Sequence, residues 1–229
     1  TASDSWAVLN NQAGMAECKT HEASMYAGNQ FAISNLNYLA FSAIVPVKYG
    51  NFGFSAGRFG YEKYNETRAG VAFAKTLAPR FSAGLQLNAF HTAIAEAYAG
   101  TNKVSFEGGI KYSFAKNISI GIHAFNPIRV KTAESFDQRI PTYLKIGVSW
   151  NYKNKALLAG ELVQDIDGNS IFRTGVEYQL IQDFYIRGGM MVKPARGSFG
   201  MGYKLKSFQL DIAVCSHPQL PLSDRKSVV

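Results

Sequence analysis

The sequence predicts an all-β protein: a closed, antiparallel, up-and-down transmembrane β-barrel of about fourteen strands, preceded by a short N-terminal helical segment. Three observations predict it. From about residue 22 onward, apolar and polar residues alternate with period two, in segments long enough to cross a bilayer at a tilt. Clusters of turn-forming residues separate these segments, and many of the connections are only two residues long. No apolar run approaches the length of a spanning helix, since Leu36–Val47 is interrupted by Asn37, Ser42 and Pro46.

The segment before the first strand has helix character, with Ser3 or Asp4 placed to cap a helix ending near Asn10 or Gly14. It is expected at the periplasmic mouth, as residues 1–21. Strands are then expected at 22–32, 36–47, 51–61, 66–76, 80–93, 102–114 and 117–126. The second half continues at 140–152, 155–165, 170–180, 183–193, 197–206, 207–216 and, weakly, 222–229. The alternation is plain in Phe81-Ser82-Ala83-Gly84-Leu85-Gln86-Leu87-Asn88-Ala89 and in Leu144-Lys145-Ile146-Gly147-Val148-Ser149-Trp150. Tyr49-Gly50, Ala78-Pro79, Ala115-Lys116, Lys153-Asn154, Ile181-Gln182 and Lys206-Ser207 read as tight turns on one rim. Longer connections are expected on the other rim, at Ile94–Thr101, Pro127–Arg139, Asp165–Asn169 and Ser216–Leu222, with Ser34-Asn35 a short exception. A β-sandwich or a lipocalin-like barrel also alternates, but strands in such soluble folds average about five or six residues, against the nine to eleven a tilted membrane strand needs. Aromatic residues near strand ends, among them Phe52, Phe114, Trp150, Tyr152 and Tyr203, fit interfacial girdles.

At 229 residues, 47% hydrophobic, and without a shift in composition along its length, the chain reads as one domain over 1–229. Thr1–Ser5 lack a basic or apolar leader, so any secretory signal is expected to have been removed already or to lie outside this numbering. The formal charge of +8 comes from basic residues scattered along the chain rather than gathered in a patch, so no nucleic-acid partner is expected. Phosphates of outer-membrane lipids and lipopolysaccharide are the expected counter-charges. If the apolar face meets lipid, the lumen receives a charge network made of Glu107, Lys111, Lys145, Glu161, Arg173, Glu177 and Arg187, with Arg68 and Lys204 on the same face. Glu161 beside Arg173 and Glu177 beside Arg187 read as cross-strand pairs, and the expectation is a lumen held shut by such pairs.

Asp4-x-x-Ala7 followed by Asn11-Gln12-Ala13-Gly14-Met15-Ala16 resembles the opening motif of FadL-like outer-membrane barrels and of the related PorV-type barrels of Bacteroidota, with Gln12 where that motif carries proline. Phe59-Gly60-Tyr61-Glu62-Lys63-Tyr64-Asn65-Glu66 and Ser216-His217-Pro218-Gln219-Leu220 are similar to segments of such barrels. The resemblance implies a fourteen-stranded barrel of the bacterial outer membrane with an N-terminal segment tucked into its periplasmic mouth. It also implies a role in hydrophobic-compound uptake or in type IX protein secretion.

No catalytic, cofactor or metal site is expected. Asp165-Ile166-Asp167-Gly168-Asn169 has the carboxylates and glycine of a calcium loop but lacks the later glutamate, and reads as a hairpin turn. His21, His91, His123 and His217 are too scattered for a zinc site, and no nucleophile motif accompanies them. Cys18 and Cys215 fall at opposite rims and should be too far apart to bridge. The functional expectation is a non-catalytic subunit of an outer-membrane protein export or assembly complex, in contact with other barrels or lipoproteins. The alternative is a transporter for small hydrophobic solutes.

Overall fold

The computed structural model describes residues 3–29, 36–94, 98–131, 140–166, 168–217 and 220–228. The side chains of residues 98, 99, 217 and 220–228 lie outside that description. The expected connections at Ser34-Asn35 and over most of Pro127–Arg139 also lie outside the described residues.

The strands are β1 (Glu22–Asn29), β2 (Asn37–Val47), β3 (Gly50–Tyr61), β4 (Tyr64–Ala78), β5 (Phe81–Ile94), β6 (Tyr98–Ala115) and β7 (Ile118–Phe125). They continue as β8 (Tyr143–Tyr152), β9 (Ala156–Asp165), β10 (Ser170–Ile181), β11 (Phe184–Val192), β12 (Arg196–Leu205), β13 (Phe208–His217) and β14 (Leu220–Val228). Consecutive strands pair antiparallel throughout, as an up-and-down meander. β14 pairs with β13 and, from Met25↔Val228 to Gly28↔Arg225, with β1, so the strand order returns to its start as a closed barrel.

Every expected tight turn falls on one rim, the one that also holds the start of β1. Arg80, Lys153, Asn154, Asp183 and Lys206 in these turns adopt positive φ. That backbone suits two-residue hairpin loops, whose twist must match that of the flanking strands. The opposite rim departs from the expectation of uniformly long loops. Glu62-Lys63 and residues 193–195 are also tight, and Ile94 pairs directly with Tyr98, so the expected loop Ile94–Thr101 is largely strand. Backbone pairing continues there because a strand that rises beyond the bilayer still satisfies its amides by keeping its partner.

Side-chain direction follows the alternation. Large apolar residues point outward and stay exposed, including Leu85, Leu87, Met25, Phe114 and Phe208, while Ser24, Ser42, Ser55, Ser82, Gln86, Asn88 and Ser105 point inward and are buried. This inverts the soluble rule, in which the large apolar residues go inside. The residues left outside require an apolar solvent. Among the described residues, no helix is long and apolar enough to cross a membrane.

The first residues form a plug. A single turn of helix, α1 (Ala7–Asn10), is followed by a 3-10 turn at Gln12–Glu17, and both pack against the inner faces of β2–β6. Trp6 stands at the cap position instead of the expected Ser3 or Asp4, and α1 ends where Asn11 becomes extended. Asn11 explains the break. Its side chain accepts from the Ala13 amide at 3.1 Å and donates to the carbonyls of Ile110 and Ile122 at 3.2 Å each, which caps the 3-10 turn and pins it to β6 and β7. Close approach is possible because the wall beneath is stripped of side chains. A Cβ on Gly84 would lie 2.6 Å from the Gln12 carbonyl carbon, and one on Gly53 would lie 2.7 Å from the Met15 sulfur. Ala72 and Ala74 continue this small-residue floor and join Val8, Met15, Cys18 and Ile44 in a buried apolar cluster.

Candidate functional site

The lumen is divided by a polar layer and the plug. Glu107 on β6 is the centre of that layer and is only 1% exposed. It is paired with Arg68 of β4, accepts from Asn88 Nδ2 at 3.1 Å, and lies 3.1 Å from His123 Nε2. Arg68 Nε also donates to Asn88 Oδ1 at 3.0 Å, and Gln86 Nε2 donates to Asn88 Oδ1 at 2.7 Å and to Ser55 Oγ at 3.1 Å. A carboxylate buried this deeply requires such a cluster, because an unpaired buried charge is strongly unfavourable.

Above this layer, toward the rim opposite the plug, lies a cavity of about 780 Å³. Tyr38, Phe59, Phe90, Phe125, Tyr143, Ile94, Ile140 and Pro141 line it, and Glu66, Arg68 and Lys103 are its charged residues. The guanidinium of Arg68 sits 5.6 Å from the Phe90 ring centre and 5.0 Å from that of Phe125. Phe125 stacks on Tyr143 at 4.8 Å, and Phe90 meets it edge-on at 6.3 Å. With its charge met by Glu107 and its faces covered by aromatic rings, Arg68 presents little free charge to the cavity. The size and the mixture of aromatic walls with a few polar groups are those of a small-molecule pocket.

Asn126 shapes this cavity and was not singled out from the sequence. It is fully buried at φ 50, donates to the Ile140 carbonyl at 2.8 Å, and accepts from Ser105 Oγ at 2.7 Å and from the Val130 amide at 3.2 Å. These bonds turn the chain after β7 inward, so that Ile140 and Pro141 roof the pocket instead of beginning β8. The Asn126-Pro127 dipeptide is the signal that could have marked this turn.

Hydrogen bonds and ion pairs join the seven residues expected to form one charge network in part, and Lys145 stands within electrostatic reach of both Glu107–Arg68 and Glu161–Arg173. Glu107 pairs with Arg68 and His123, as described. Lys111 leaves the strand-to-strand pattern and donates to Glu17 Oε2 at 2.7 Å and to Ser3 Oγ at 2.6 Å, which ties β6 to the plug. Lys145 lies 5.1 Å from the Tyr143 ring centre. Glu161 and Arg173 are paired at 3.3 Å, and Glu177 with Arg187 at 2.5 Å. Arg187 also pairs with Asp211 of β13, which sequence reasoning did not single out. Lys111 leaves the pattern because the plug brings Glu17 and Ser3 within its reach.

Burial pushes the Glu17 carboxyl up, but hydrogen bonds from Lys111 and Ser3 overcome it and leave it below the ordinary glutamate value. Burial raises the Asp4 carboxyl and pushes the Cys18 thiol up to about 12. Cys18 and Cys215 are both free thiols. His91 meets Asn102 at 2.7 Å, and among the described residues no group of His, Cys, Asp and Glu could hold a metal ion.

No family model and no curated protein matches the sequence. Solved structures do match in shape. The toluene transporter TbuX of Ralstonia pickettii superposes with a TM-score of 0.71 at 12% identity, covering 100% of this chain and 94% of that one. A FadL homologue of Pseudomonas aeruginosa superposes at 0.65 with 12% identity, covering 100% and 92%. The toluene transporter TodX of Pseudomonas putida does so at 0.63 with 11% identity, covering 97% and 91%. At these identities the likeness is one of architecture: the chain has the fold of the FadL-type outer-membrane barrels.

Proposed function

We propose that this protein is a closed fourteen-stranded barrel of the bacterial outer membrane that takes up small hydrophobic solutes through the cavity above Arg68. The observation that carries the reading is that cavity: about 780 Å³, walled by Phe90, Phe125, Tyr143, Tyr38 and Phe59, and set over a sealed polar layer. An apolar solute gains by leaving water for such a wall, at about 25 cal/mol per Å² buried. The solutes named for the similar barrels, toluene among them, fit this chemistry. The export-subunit reading gives way here, because a cavity of this size with largely aromatic walls suits a ligand, and the similar barrels are named as transporters. Phospholipid and lipopolysaccharide phosphates are the partners proposed for the exposed basic residues of the rims; Lys48 and Lys153 there lie beside Tyr49 and Tyr152 at 5.4 and 5.3 Å.

The test is toluene binding to the purified barrel, read as a toluene-dependent rise in the temperature at which the folded form is lost on electrophoresis. The expected result is a saturable rise in the native protein that is lost in Phe90→Ala and Tyr143→Ala. A rise of equal size in those variants would remove the cavity from the account.

A further inference from the structure

We infer that the barrel also carries a water-filled passage beside the plug, along β10–β13, that conducts small hydrated ions and is weakly cation-selective. This goes beyond solute uptake and uses the other half of the lumen.

The first observation is an asymmetry in wetness. On the half that faces the plug, most inward charged side chains are dry: Glu107 is 1% exposed, His123 2% and Lys111 4%, with Arg68, beside the upper cavity, at 23%. On the other half, most inward charged side chains remain wet, with Glu161 at 34%, Arg173 at 47%, Glu177 at 31% and Arg187 at 32%, and Asp211, held by Arg187, at 14%. Both sets point into the lumen by the same alternation. The difference arises because the plug packs on β2–β6 and leaves β9–β13 uncovered.

The second observation is the reach of the space. A cavity of about 880 Å³ lies between the plug and this wall, lined on β12 and its turn from Ser198 to Lys206 and on β13 from Phe208 to Cys215. Eight residue steps at about 3.3 Å span roughly 26 Å of strand, and a tilt of about 40° leaves roughly 20 Å upright. The apolar band of such barrels is about 25 Å tall, so the space covers most of the membrane's thickness. The wall along it is thin, with Gly200 and Ala213 at inward positions, and Gly175 shares the inward face of β10 with the lining residue Glu177.

The charges suit ions of either sign, with a small excess of carboxylate. Among the described lining residues, Asp4, Glu22, Glu177 and Asp211 oppose Arg187, Lys204 and Lys206, four against three. Arg187 is held between Glu177 and Asp211, so the positive charge that opposes cations there rests on one residue. Conduction needs sites that attract an ion without trapping it, and partly hydrated, mutually neutralised charges meet that condition.

The experiment is single-channel recording of the purified, heat-modifiable protein in a planar bilayer under a potassium chloride gradient. Stepwise currents with a reversal potential on the potassium side are expected. Arg187→Gln should raise the conductance and move the reversal potential further toward potassium. Gly175→Trp should lower the conductance severalfold; a Cβ there has no neighbour nearer than 3.5 Å, so the indole enters the lumen without displacing backbone. A charged methanethiosulfonate should change the current by reaching Cys215, and Cys215→Ser should abolish that response. Folded protein that passes no current, or currents indifferent to all three changes, would overturn the inference. Toluene binding should persist in these variants. Its loss with conduction intact would count against the uptake reading and leave this one standing.

Discussion

Glu107 and Glu161 carry the same carboxylate into the same lumen under different conditions, and the difference decides what each contributes. Glu107 is buried and serves Arg68, Asn88 and His123 together, so Glu107→Ala leaves a guanidinium without its counter-charge in a dry layer. Removing one partner of such a pair costs about 3–5 kcal/mol. Glu161 and Arg173 are both wet, and an exposed pair is worth about 0–1 kcal/mol, so Glu161→Ala should leave the barrel nearly as stable as before. The check is the temperature of the electrophoretic folded-to-unfolded shift, which should fall clearly for Glu107→Ala and hardly move for Glu161→Ala. Equal effects would mean that the two halves of the lumen are equally dry. The sequence showed Glu161–Arg173 and Glu177–Arg187 because period two and neighbouring strands suffice to bring such residues together. It did not show Arg68–Glu107, which spans β4 and β6 across β5. That contact depends on barrel curvature and on the small Asn88 between them, and neither is written in any one strand.

At the scale of elements, the plug and its glycine floor hold each other in place. Gly84→Ala puts a methyl carbon against the Gln12 and Ala13 backbone at 2.6–2.8 Å, which cannot be relieved by rotating a side chain, so the plug must lift. Cys18 reports the lifting, since its thiol is buried and raised to about 12 while docked. In a Cys215→Ser background, maleimide should label Cys18 severalfold faster in Gly84→Ala, while Gly147→Ala, with no neighbour nearer than 3.5 Å, should label like the parent. Acid should loosen the same element through Glu17. Its carboxyl is lowered in the folded protein, so its contribution is fully present above the ordinary glutamate value of about 4.3 and is lost as the pH falls through the lowered one. Asp4, raised by burial, acts with the opposite sign, so the Glu17 part is isolated by comparison with Glu17→Gln. Trp6 fluorescence in a Trp150→Phe background should separate the two proteins near neutral pH and bring them together in acid. The helical character of this segment was legible. Its cap and its docking were not, because both depend on Asn11 finding carbonyls of β6 and β7 about a hundred residues away.

At the scale of the whole molecule, the alternation alone fixes which side of the sheet is apolar, but not whether that side faces lipid or a second sheet. The answer comes from placement: Leu87 is 60% exposed and Asn88, its neighbour, is fully buried, the reverse of what water would select. This yields a prediction in which the two environments differ in outcome. In water, replacing an exposed leucine by arginine is close to neutral. In a bilayer, arginine at mid-depth costs about 2–4 kcal/mol, falling to about 0–1 near the interfaces. Leu87 lies near the middle of β5, whereas Val47 ends β2 beside the tight-turn rim. Folding into phospholipid vesicles, followed through a denaturant titration, should therefore show Leu87→Arg strongly destabilised and Val47→Arg little changed. If both substitutions are neutral, the apolar belt does not sit in a membrane and the barrel's outer surface needs another partner. The depth dependence, more than either value, is what a bilayer imposes, because only a bilayer grades from apolar to polar along the length of a strand.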